Sequence, residues 1–197
     1  MKKKIGIIGA GNIGKAVAKH LLKNGYPVII SNSKSPESLE ATIALLGSGA
    51  KAVTTAEAAG ADIVLLALPW SQVKTLTQIT DWKDRIVIDA TNHFTPDFQV
   101  EDLSGRASSE VVQEYLPGAR LVKAFNTLYF KILEANPIAE NGHRVLFVSG
   151  DDKEAKTAVN EVINTIGFAP VDLGSLSVGS KFQQAKGALS LLNLIKL

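Results

Sequence analysis

The feature that most constrains this chain is a glycine pattern close to its start. In the stretch "KIGIIGAGNIGKAVAKHLL", Gly9, Gly11 and Gly14 have the spacing G-x-G-x-x-G, directly after an apolar run and at the opening of an amphipathic segment. At this spacing the first glycine permits a tight turn, the second lets the backbone approach a pyrophosphate, and the third lets a helix pack closely on a strand. The pattern therefore predicts a dinucleotide-binding turn, with the phosphates on the N-terminus of the helix.

The rest of the chain repeats the alternation of strand and helix. Eight short runs rich in β-branched residues are almost continuously apolar, which favours strands buried on both faces of a parallel sheet. They cover residues 4–9, 27–31, 50–54, 62–69, 85–91, 120–126, 144–150 and 168–173. Helix start signals lie between them, at Ser35-Pro36, Thr54-x-x-Glu57 and Asp151-x-x-Glu154.

This alternation predicts an α/β fold with a doubly wound, mostly parallel sheet, the Rossmann NAD(P)-binding fold. We expect helices on both faces of the sheet and a short helical tail at the C-terminus. No linker divides the chain, so residues 1–197 are expected to form a single domain. The loosest stretch, roughly residues 92–110, is expected to be a long loop beside a site.

Composition limits the classes of partner. The 197 residues include no cysteine, which excludes disulfides, thiolate metal sites and cysteine nucleophiles, and we expect no metal site. A net charge of +2 is too small to indicate nucleic acid, and the longest apolar runs are too short to cross a bilayer. Glycines interrupt the first apolar run, so no secretory segment is visible. We expect a cytoplasmic protein that binds neither nucleic acid nor membrane.

The segment after the second predicted strand indicates which nicotinamide cofactor is bound. For NAD, an acidic residue at this place accepts hydrogen bonds from the ribose 2′-hydroxyl, whereas a 2′-phosphate requires hydrogen-bond donors and a cation. The residues here are Ser31, Asn32, Ser33 and Lys34, and the first acid is Glu37. The segment therefore favours NADP, the alternative being an ordinary polar turn before a helix.

The loops at the carboxyl ends of the predicted strands contain no obvious set of acid–base residues. Of the three histidines only His93 lies on such a loop and is a candidate at the hydride acceptor, while we expect His20 at the surface or boundary of the first helix and His143 in a turn. Trp70 is either a core residue or a wall for a flat ring. Hydride transfer to a flavin-like ring needs two rings held face to face and little else from the protein, which suits such loops.

Six stretches carry a family resemblance. In chain order they are "IGIIGAGNIGKAVA", "ADIVLLALPW", "VIDATNHF", "LVKAFNTL", "VSGDDKEAKTAV" and "GFAPVDLGSLSVGSKFQ". Over nearly its whole length the chain resembles the NADP-dependent reductases of the deazaflavin coenzyme F420, whose domain also forms the cytosolic part of the six-transmembrane metalloreductases. The resemblance implies an oxidoreductase that transfers a hydride between NADPH and a flavin-like acceptor, either coenzyme F420 or FMN or FAD.

The resemblance also implies the binding residues. The NADP phosphates would lie on the glycine turn, and the 2′-phosphate would lie beside Ser31 and its neighbours. Family members often carry an arginine where this chain has Asn32, which leaves Lys34 as the candidate cation. The full set of implied contacts is Gly9, Gly11, Asn12, Ile13 and Gly14 for the phosphates, Leu68, Pro69, Ala90, Thr91, Asn92 and Phe125 for the nicotinamide end, and His93, Asn126 and Thr127 for the acceptor pocket.

Two alternatives stay open. One is an imino-acid reductase like pyrroline-5-carboxylate reductase, which shares the N-terminal pattern. Such an enzyme needs a further helical domain, and only about 25 residues follow the last predicted strand. The other is an NADP-responsive sensor or interaction module without turnover. The apolar tail "GALSLLNLIKL" has Leu189, Leu192 and Ile195 at helical spacing, so we expect it to pack on the sheet or to form a homodimer that helps close the site.

Overall fold

One sheet of ten strands runs through the structure, a computed structural model that describes residues 2–197. Six strands lie parallel in the order β3-β2-β1-β4-β5-β6, and β8 continues the sheet antiparallel to β6. Strand β9 pairs parallel with β8, and β7 and β10 pair antiparallel with it. The strands are β1 (Ile5–Ile8), β2 (Val28–Ser31), β3 (Ala50–Ala52), β4 (Ile63–Leu66), β5 (Ile86–Asp89), β6 (Arg120–Lys123), β7 (Ile138–Ala139), β8 (Gly142–Gly150), β9 (Ala169–Asp172) and β10 (Ile195–Lys196).

The sheet confirms the predicted fold class. Each of the eight predicted runs contains a strand, and the order 3-2-1-4-5-6 is that of a doubly wound dinucleotide-binding sheet. The helices are α1 (Asn12–Lys23), α2 (Glu40–Leu46), α3 (Thr55–Ala59), α4 (Ser108–Tyr115), α5 (Phe130–Glu134), α6 (Lys153–Thr165) and α7 (Leu176–Gln183), with 3₁₀ segments at Pro36–Leu39 and Trp70–Gln78. The long loop predicted at 92–110 extends to the start of α4 at Ser108.

Apolar side chains are buried on both faces of the sheet. Because successive side chains of a strand point to opposite faces, β4 supplies Ile63 and Leu65 to one core and Val64 and Leu66 to the other. The first core includes residues of α1 and α6, and the second includes residues of α3, α4 and the 70–78 segment. Both faces of the central strands are therefore closed to water, as their near-continuous apolar sequences predict.

Two of the predicted helix starts have a side-chain cap. Thr54 and Glu57 form the predicted capping box at the start of α3. The cap of α6 is Asp152, whose carboxylate accepts from the N–H of Ala155, whereas the predicted box began one residue earlier, at Asp151. Asp151 instead accepts a hydrogen bond of 3.1 Å from the backbone N–H of Leu176, which leads into α7.

The predicted helical tail is wrong for residues 187–197. Helix α7 ends at Gln183, and the chain then passes through turns into β10, whose Ile195 pairs with Arg144 of β8. A Cβ at Gly187 would lie 2.5 Å from the carbonyl oxygen of Lys181, so the chain turns sharply there. Pairing with β8 satisfies the backbone groups of so short a segment better than an isolated helix would. The homodimer through this tail stays a prediction.

Candidate functional site

A crevice opens where the order of the parallel strands reverses. Ligands of open α/β sheets bind at this switch point, outside the carboxyl ends of the strands. Here it lies between β1 and β4, and it contains a cavity of about 580 Å³. The cavity is lined by the glycine turn from Gly9 to Gly11, by Leu68 and Pro69 after β4, and by Asn32 and Ser33 after β2.

The three glycines of the fingerprint occupy three different environments. Gly9 has φ +117°, and a Cβ there would lie 2.1 Å from the carbonyl oxygen of Ala67. A Cβ at Gly14 would lie 2.0 Å from the carbonyl oxygen of Gly9, whereas a Cβ at Gly11 would meet nothing within 4 Å. Gly9 and Gly14 are thus required by the turn and by helix packing, and Gly11 leaves its space to a ligand.

The N-terminus of α1 is suited to an anion. Gly11 is its N-cap without a capping side chain, and its first turn, which includes Asn12 and Ile13, has no acidic residue. The first N–H groups of a helix have no partner within the helix, and the helix dipole favours negative charge there. The residues present therefore fit the pyrophosphate of a dinucleotide.

The predicted 2′-phosphate segment is only partly at the cavity. Asn32 and Ser33 line it, but the hydroxyl of Ser31 is buried and lies 3.5 Å from the carbonyl oxygen of Ile7. The amide of Asn32 donates to the Ser38 hydroxyl at 2.9 Å and accepts from the backbone N–H of Lys34 at 2.9 Å. The side chain of Lys34, on the same loop, is exposed and does not line the cavity. Among residues 2–197, no carboxylate lines this cavity.

Several polar residues of the cavity were missed from the sequence. They share an uncharged hydrogen-bonding side chain and lie in the segments that follow β2, β3 and β4: Ser38, Thr42, Thr55, Gln72 and Thr75. Because the carboxyl ends of parallel strands meet at one edge of the sheet, hydroxyls in successive post-strand segments were a usable signal. With Asn32 and Ser33 they give the cavity a neutral, polar lining, in which Ser38, Thr55 and Thr75 donate their hydroxyl protons to backbone carbonyls.

A buried ion pair lies at the ends of β5 and β6, where the loops predicted to contact the nicotinamide and the acceptor begin. The ammonium of Lys123 lies 2.9 Å from a carboxylate oxygen of Asp89 and donates to the Thr91 carbonyl at 2.8 Å, and both charged side chains are 0% exposed. Asp89 also accepts from the N–H and hydroxyl of Thr91, at 2.9 and 2.7 Å, and from the Ser109 hydroxyl at 2.7 Å. The pair fixes the turn that carries Ala90, Thr91 and Asn92.

The Asp89 carboxyl is ionised in this network. Burial raises its pKa, but the Lys123 ammonium and the hydrogen bonds from Ser109, Thr91 and Lys123 outweigh burial and hold the pKa below its usual value. This pair of Asp89 and Lys123 was not identified from the sequence. The signal was the lysine itself, inside the apolar run "RLVKAF" of a strand predicted to be buried on both faces.

The two predicted asparagines meet at the acceptor side. The Asn92 amide donates to the Asn126 carbonyl at 3.0 Å, and the Asn126 amide donates to the Asn92 side-chain oxygen at 3.1 Å and to the Gln183 carbonyl at 2.7 Å. Phe125 precedes them in the left-handed region, with φ +66°, and is 1% exposed. A non-glycine residue in this conformation costs about 1–3 kcal/mol, so the contacts around Phe125 must hold it there. Thr127 is buried, and its carbonyl accepts from the Leu191 N–H at 2.8 Å.

His93 is buried between the acceptor side and Trp70. Its exposure is 3%, its ring packs edge-on against Trp70 at 6.1 Å, and its Nδ1 has no partner among the described residues. Burial and the nearby Lys123 lower the pKa of His93 more than Glu101 and Asp89 raise it, so the ring is neutral near pH 7. Trp70 is 9% exposed, packs in the second core and donates from Nε1 to Glu101 at 2.6 Å, so it is a core residue.

The other two histidines differ from expectation. His20 is buried, not at the surface, because its Nε2 bonds the Leu133 carbonyl at 2.7 Å and its ring packs on Phe168. Burial lowers the pKa of His20. His143 belongs to β8 rather than to a turn, and its Nδ1 bonds the Gly167 carbonyl at 2.7 Å.

Two features are absent from residues 2–197. No group of three or more histidine, aspartate or glutamate side chains is arranged to hold a metal ion. No helix within that range is long and apolar enough to span a bilayer.

Comparisons with known proteins identify relatives of the chain. Residues 4–93 match the family described as NADP oxidoreductase, coenzyme F420-dependent. The chain is 30% identical over 177 residues to the metalloreductase STEAP3 of Rattus norvegicus, covering 88% of this chain and 34% of that protein. The metalloreductase STEAP2 of Mus musculus is 24% identical over 91% of this chain. The chain thus spans about a third of the length of the curated relatives it matches.

Solved structures agree with these matches. The hypothetical protein SMa0349 from Sinorhizobium meliloti is 44% identical, with a TM-score of 0.93, over 100% of this chain and 97% of that one. A protein of Arthrobacter sp. FB24, provisionally described as an F420-dependent NADP reductase, has a TM-score of 0.77 at 23% identity, over 89% of this chain and 86% of that one, which shows the shared fold. Residues 4–93, which contain the glycine turn and the strands β1 to β5, therefore carry the domain of the F420-dependent family of NADP oxidoreductases.

Proposed function

We propose that this protein is an NADP-dependent oxidoreductase that transfers a hydride between NADPH and a flavin-like acceptor. The observation that carries the proposal is the presence of two features at one sheet edge. One is the glycine turn with its neutral polar cavity, and the other is the hydrogen-bonded amide pair of Asn92 and Asn126. Reduced nicotinamide supplies the hydride when it is bound.

The chain contributes binding and orientation. Gly11 and the free N–H groups of α1 bind phosphate, and Asn32 and Ser33 offer donors to a 2′-phosphate. Lys34, on the same loop, is the candidate cation for that phosphate. In the part of the chain that the structure describes, no carboxylate lines the cavity, so no negative side chain there repels the 2′-phosphate.

The acceptor side is built to hold a ring rather than to move a proton. The charges of Lys123 and Asp89 compensate each other below the surface, and His93 is neutral. A flavin-like acceptor carries its own redox chemistry and needs only a flat, oriented surface. These residues are less suited to an acceptor that requires general acid catalysis from the protein.

An assay of NADPH oxidation tests the proposal. The purified protein is mixed with NADPH or NADH and with FMN, FAD, riboflavin or the deazaflavin coenzyme, and the decay of reduced nicotinamide absorbance is followed. We expect turnover with at least one of these acceptors and a higher kcat/KM for NADPH than for NADH. Tight NADPH binding without turnover of any acceptor would refute the enzyme and favour the sensor.

A further inference from the structure

Three buried polar atoms near the ends of β5 and β6 lack a hydrogen-bond partner among residues 2–197. They are Nδ1 of His93, Oγ of Ser108 and Oδ1 of Asn126. The remaining atom of this kind in that range, Oδ1 of Asn160, belongs to α6. Buried polar atoms are almost always paired in folded proteins, so each unpaired one requires an explanation. Three such atoms in one region indicate a common partner.

Hydrogen bonds connect the residues that carry these three atoms. Asn126 exchanges two hydrogen bonds with the residue that precedes His93. The Asn126 side chain also donates to the backbone carbonyl of Gln183 at 2.7 Å. The adjacent Gln184 accepts, through its side chain, from the backbone N–H of Ser108 at 2.8 Å. The three unpaired atoms therefore belong to one connected group of residues.

The orientation of the Asn126 amide is fixed by its partners. Its Nδ2 donates to the backbone carbonyl of Gln183 at 2.7 Å and to Oδ1 of Asn92 at 3.1 Å. Asn92 is fixed in turn, because its own Nδ2 donates to the backbone carbonyl of Asn126 at 3.0 Å. A backbone carbonyl only accepts hydrogen bonds, so reversing either amide would place two oxygens against each other. The nitrogen of Asn126 is thus fully used, and its free atom is a hydrogen-bond acceptor.

The unpaired atoms are complementary to a primary carboxamide. Oδ1 of Asn126 can only accept, so its partner must bring an N–H or O–H group. The Ser108 hydroxyl can donate, and so can Nδ1 of a neutral His93 in one of its tautomers. A primary carboxamide donates through its NH2 group and accepts through its oxygen. Nicotinamide carries this group on its ring.

The position in the sheet agrees with the nicotinamide end of a dinucleotide. The cavity beside Asn32 and Ser33 fits the half that carries the 2′-phosphate, and the pyrophosphate lies at the glycine turn after β1. In the sheet, β5 and β6 lie on the opposite side of β1 from β2. The nicotinamide half, which extends away from the pyrophosphate in the other direction, therefore reaches the ends of β5 and β6.

Burial favours a small substituent over the edge of a large ring. Asn126 is 6% exposed and Ser108 is 0% exposed. A carboxamide projects from its ring on a single bond and can enter so closed a place. The broad, rigid edge of a tricyclic hydride acceptor is less suited to it.

We propose that Asn126 binds the carboxamide of the nicotinamide through Oδ1 and so orients the ring for hydride transfer. The inference rests on the proposed function. It assigns Asn126 to the cofactor instead of the acceptor pocket that the family resemblance implies. Because the amide of Asn126 is held by Gln183 and Asn92, the free oxygen is in place before the cofactor binds.

The test removes the N–H donor from the ligand and the oxygen from the protein. The ligands are NADP and its 3-acetylpyridine analogue, in which a methyl ketone replaces the carboxamide and offers no N–H. The variants are Asn126→Leu and Asn126→Asp. Both lose the N–H groups of the amide, but only the aspartate keeps an oxygen that accepts. Asn160→Leu, which removes the unpaired oxygen of α6, is the control.

Titration calorimetry gives the dissociation constants of both ligands, and their ratio cancels effects common to the two. We expect the parent to bind NADP about three- to tenfold more tightly than the analogue, the range for one neutral hydrogen bond. The ratio should disappear in Asn126→Leu and persist in Asn126→Asp and Asn160→Leu. Asn126→Ala takes the place of Asn126→Leu if thermal melting shows that the leucine variant is unfolded.

Three results would overturn the contact and leave hydride transfer standing. The first is a parent that binds both ligands equally, and the second is a ratio that survives in Asn126→Leu. The third is a ratio lost equally in Asn126→Leu and Asn126→Asp, since the lost N–H groups would then be the cause. Binding needs no turnover, so the contact is decided whether or not any hydride acceptor is reduced. A parent that binds neither ligand would refute the contact and the proposed function together.

Discussion

The buried pair of Lys123 and Asp89 allows the sharpest test of how the site is supported. Lys123→Met keeps a long apolar side chain but removes the ammonium, so Asp89 loses its counter-charge at 2.9 Å and the Thr91 carbonyl loses its donor at 2.8 Å. Both charged side chains are 0% exposed, so water cannot replace the lost contacts. Removing one partner of such a pair costs about 3–5 kcal/mol, a large part of the roughly 5–15 kcal/mol that stabilises a typical domain.

The assay is urea denaturation followed by tryptophan fluorescence, since Trp82 is 1% exposed and reports on unfolding of the core. Lys156→Met is the matched control. It breaks a pair with Asp172 at 2.9 Å in which the carboxylate side chain is 46% exposed, and such surface pairs contribute about 0–1 kcal/mol. We expect the free energy of unfolding to fall several times further in Lys123→Met than in Lys156→Met. Equal losses in the two variants would refute the reasoning.

Lys123→Met should also reverse the way in which the free energy of unfolding depends on pH. In the parent the pKa of Asp89 lies below its unfolded value, so its contribution to stability is present above about pH 4 and is lost as the pH falls through the folded pKa. Without Lys123, burial dominates and raises the pKa of Asp89 above the unfolded value. The variant should therefore lose stability as the pH rises from about 4 through that raised pKa. If the loss of unfolding free energy in Lys123→Met, relative to the parent, grew as the pH was lowered from 8 to 5, the raised pKa of Asp89 would be contradicted.

Three further outcomes are expected. Lys34→Ala should weaken NADPH binding by about 1–2 kcal/mol and leave NADH nearly unchanged in a fluorescence titration, and an equal loss for both would argue against the 2′-phosphate contact. Gly11→Ala should melt like the parent but bind NADPH more weakly, whereas Gly14→Ala should melt at a lower temperature, because only the Cβ at Gly14 meets backbone. Asp152→Ala should cost about 1–2 kcal/mol of unfolding free energy, through the lost cap of α6 and the lost two-point ion pair with Arg120. Since the Arg120 guanidinium and the Ala155 N–H lower the pKa of Asp152 to about 2, this difference should persist at pH 5 and shrink only as the pH falls below about 4, and its loss at pH 5 would count against the assignment.

Much of the binding half of the site could be read from local sequence. The tasks of Gly9 and Gly14 follow from spacing, because a glycine turn between a strand and a helix has few conformations. The open space at Gly11 agrees with the same logic. The segment from Ser31 to Lys34 reaches the cavity through Asn32 and Ser33, whereas the structure turns the Ser31 hydroxyl into the protein and brings Ser38 to the cavity.

The acceptor half depended on contacts between distant parts of the chain. Asp89 and Lys123 are 34 residues apart, and their pairing follows from β5 and β6 being neighbours, with Asp89 aligned to Lys123 in the register. The burial of His20 likewise comes from α5, whose Leu133 carbonyl lies 113 residues away along the chain. Periodicity describes one element at a time and carries no information on such partners.

The sequence by itself determined the strand–helix alternation, the glycine turn and the kind of cofactor, because each depends on residues within one turn or one strand. Only the tertiary structure decided how the two halves of the site meet and where the tail goes. The tail from Gly187 has helical spacing, yet its backbone pairs with β8 at Ile195 and bonds to the Thr127 carbonyl through Leu191. Partners supplied by other parts of the chain outweighed the local preference, because an isolated short helix is only marginally stable.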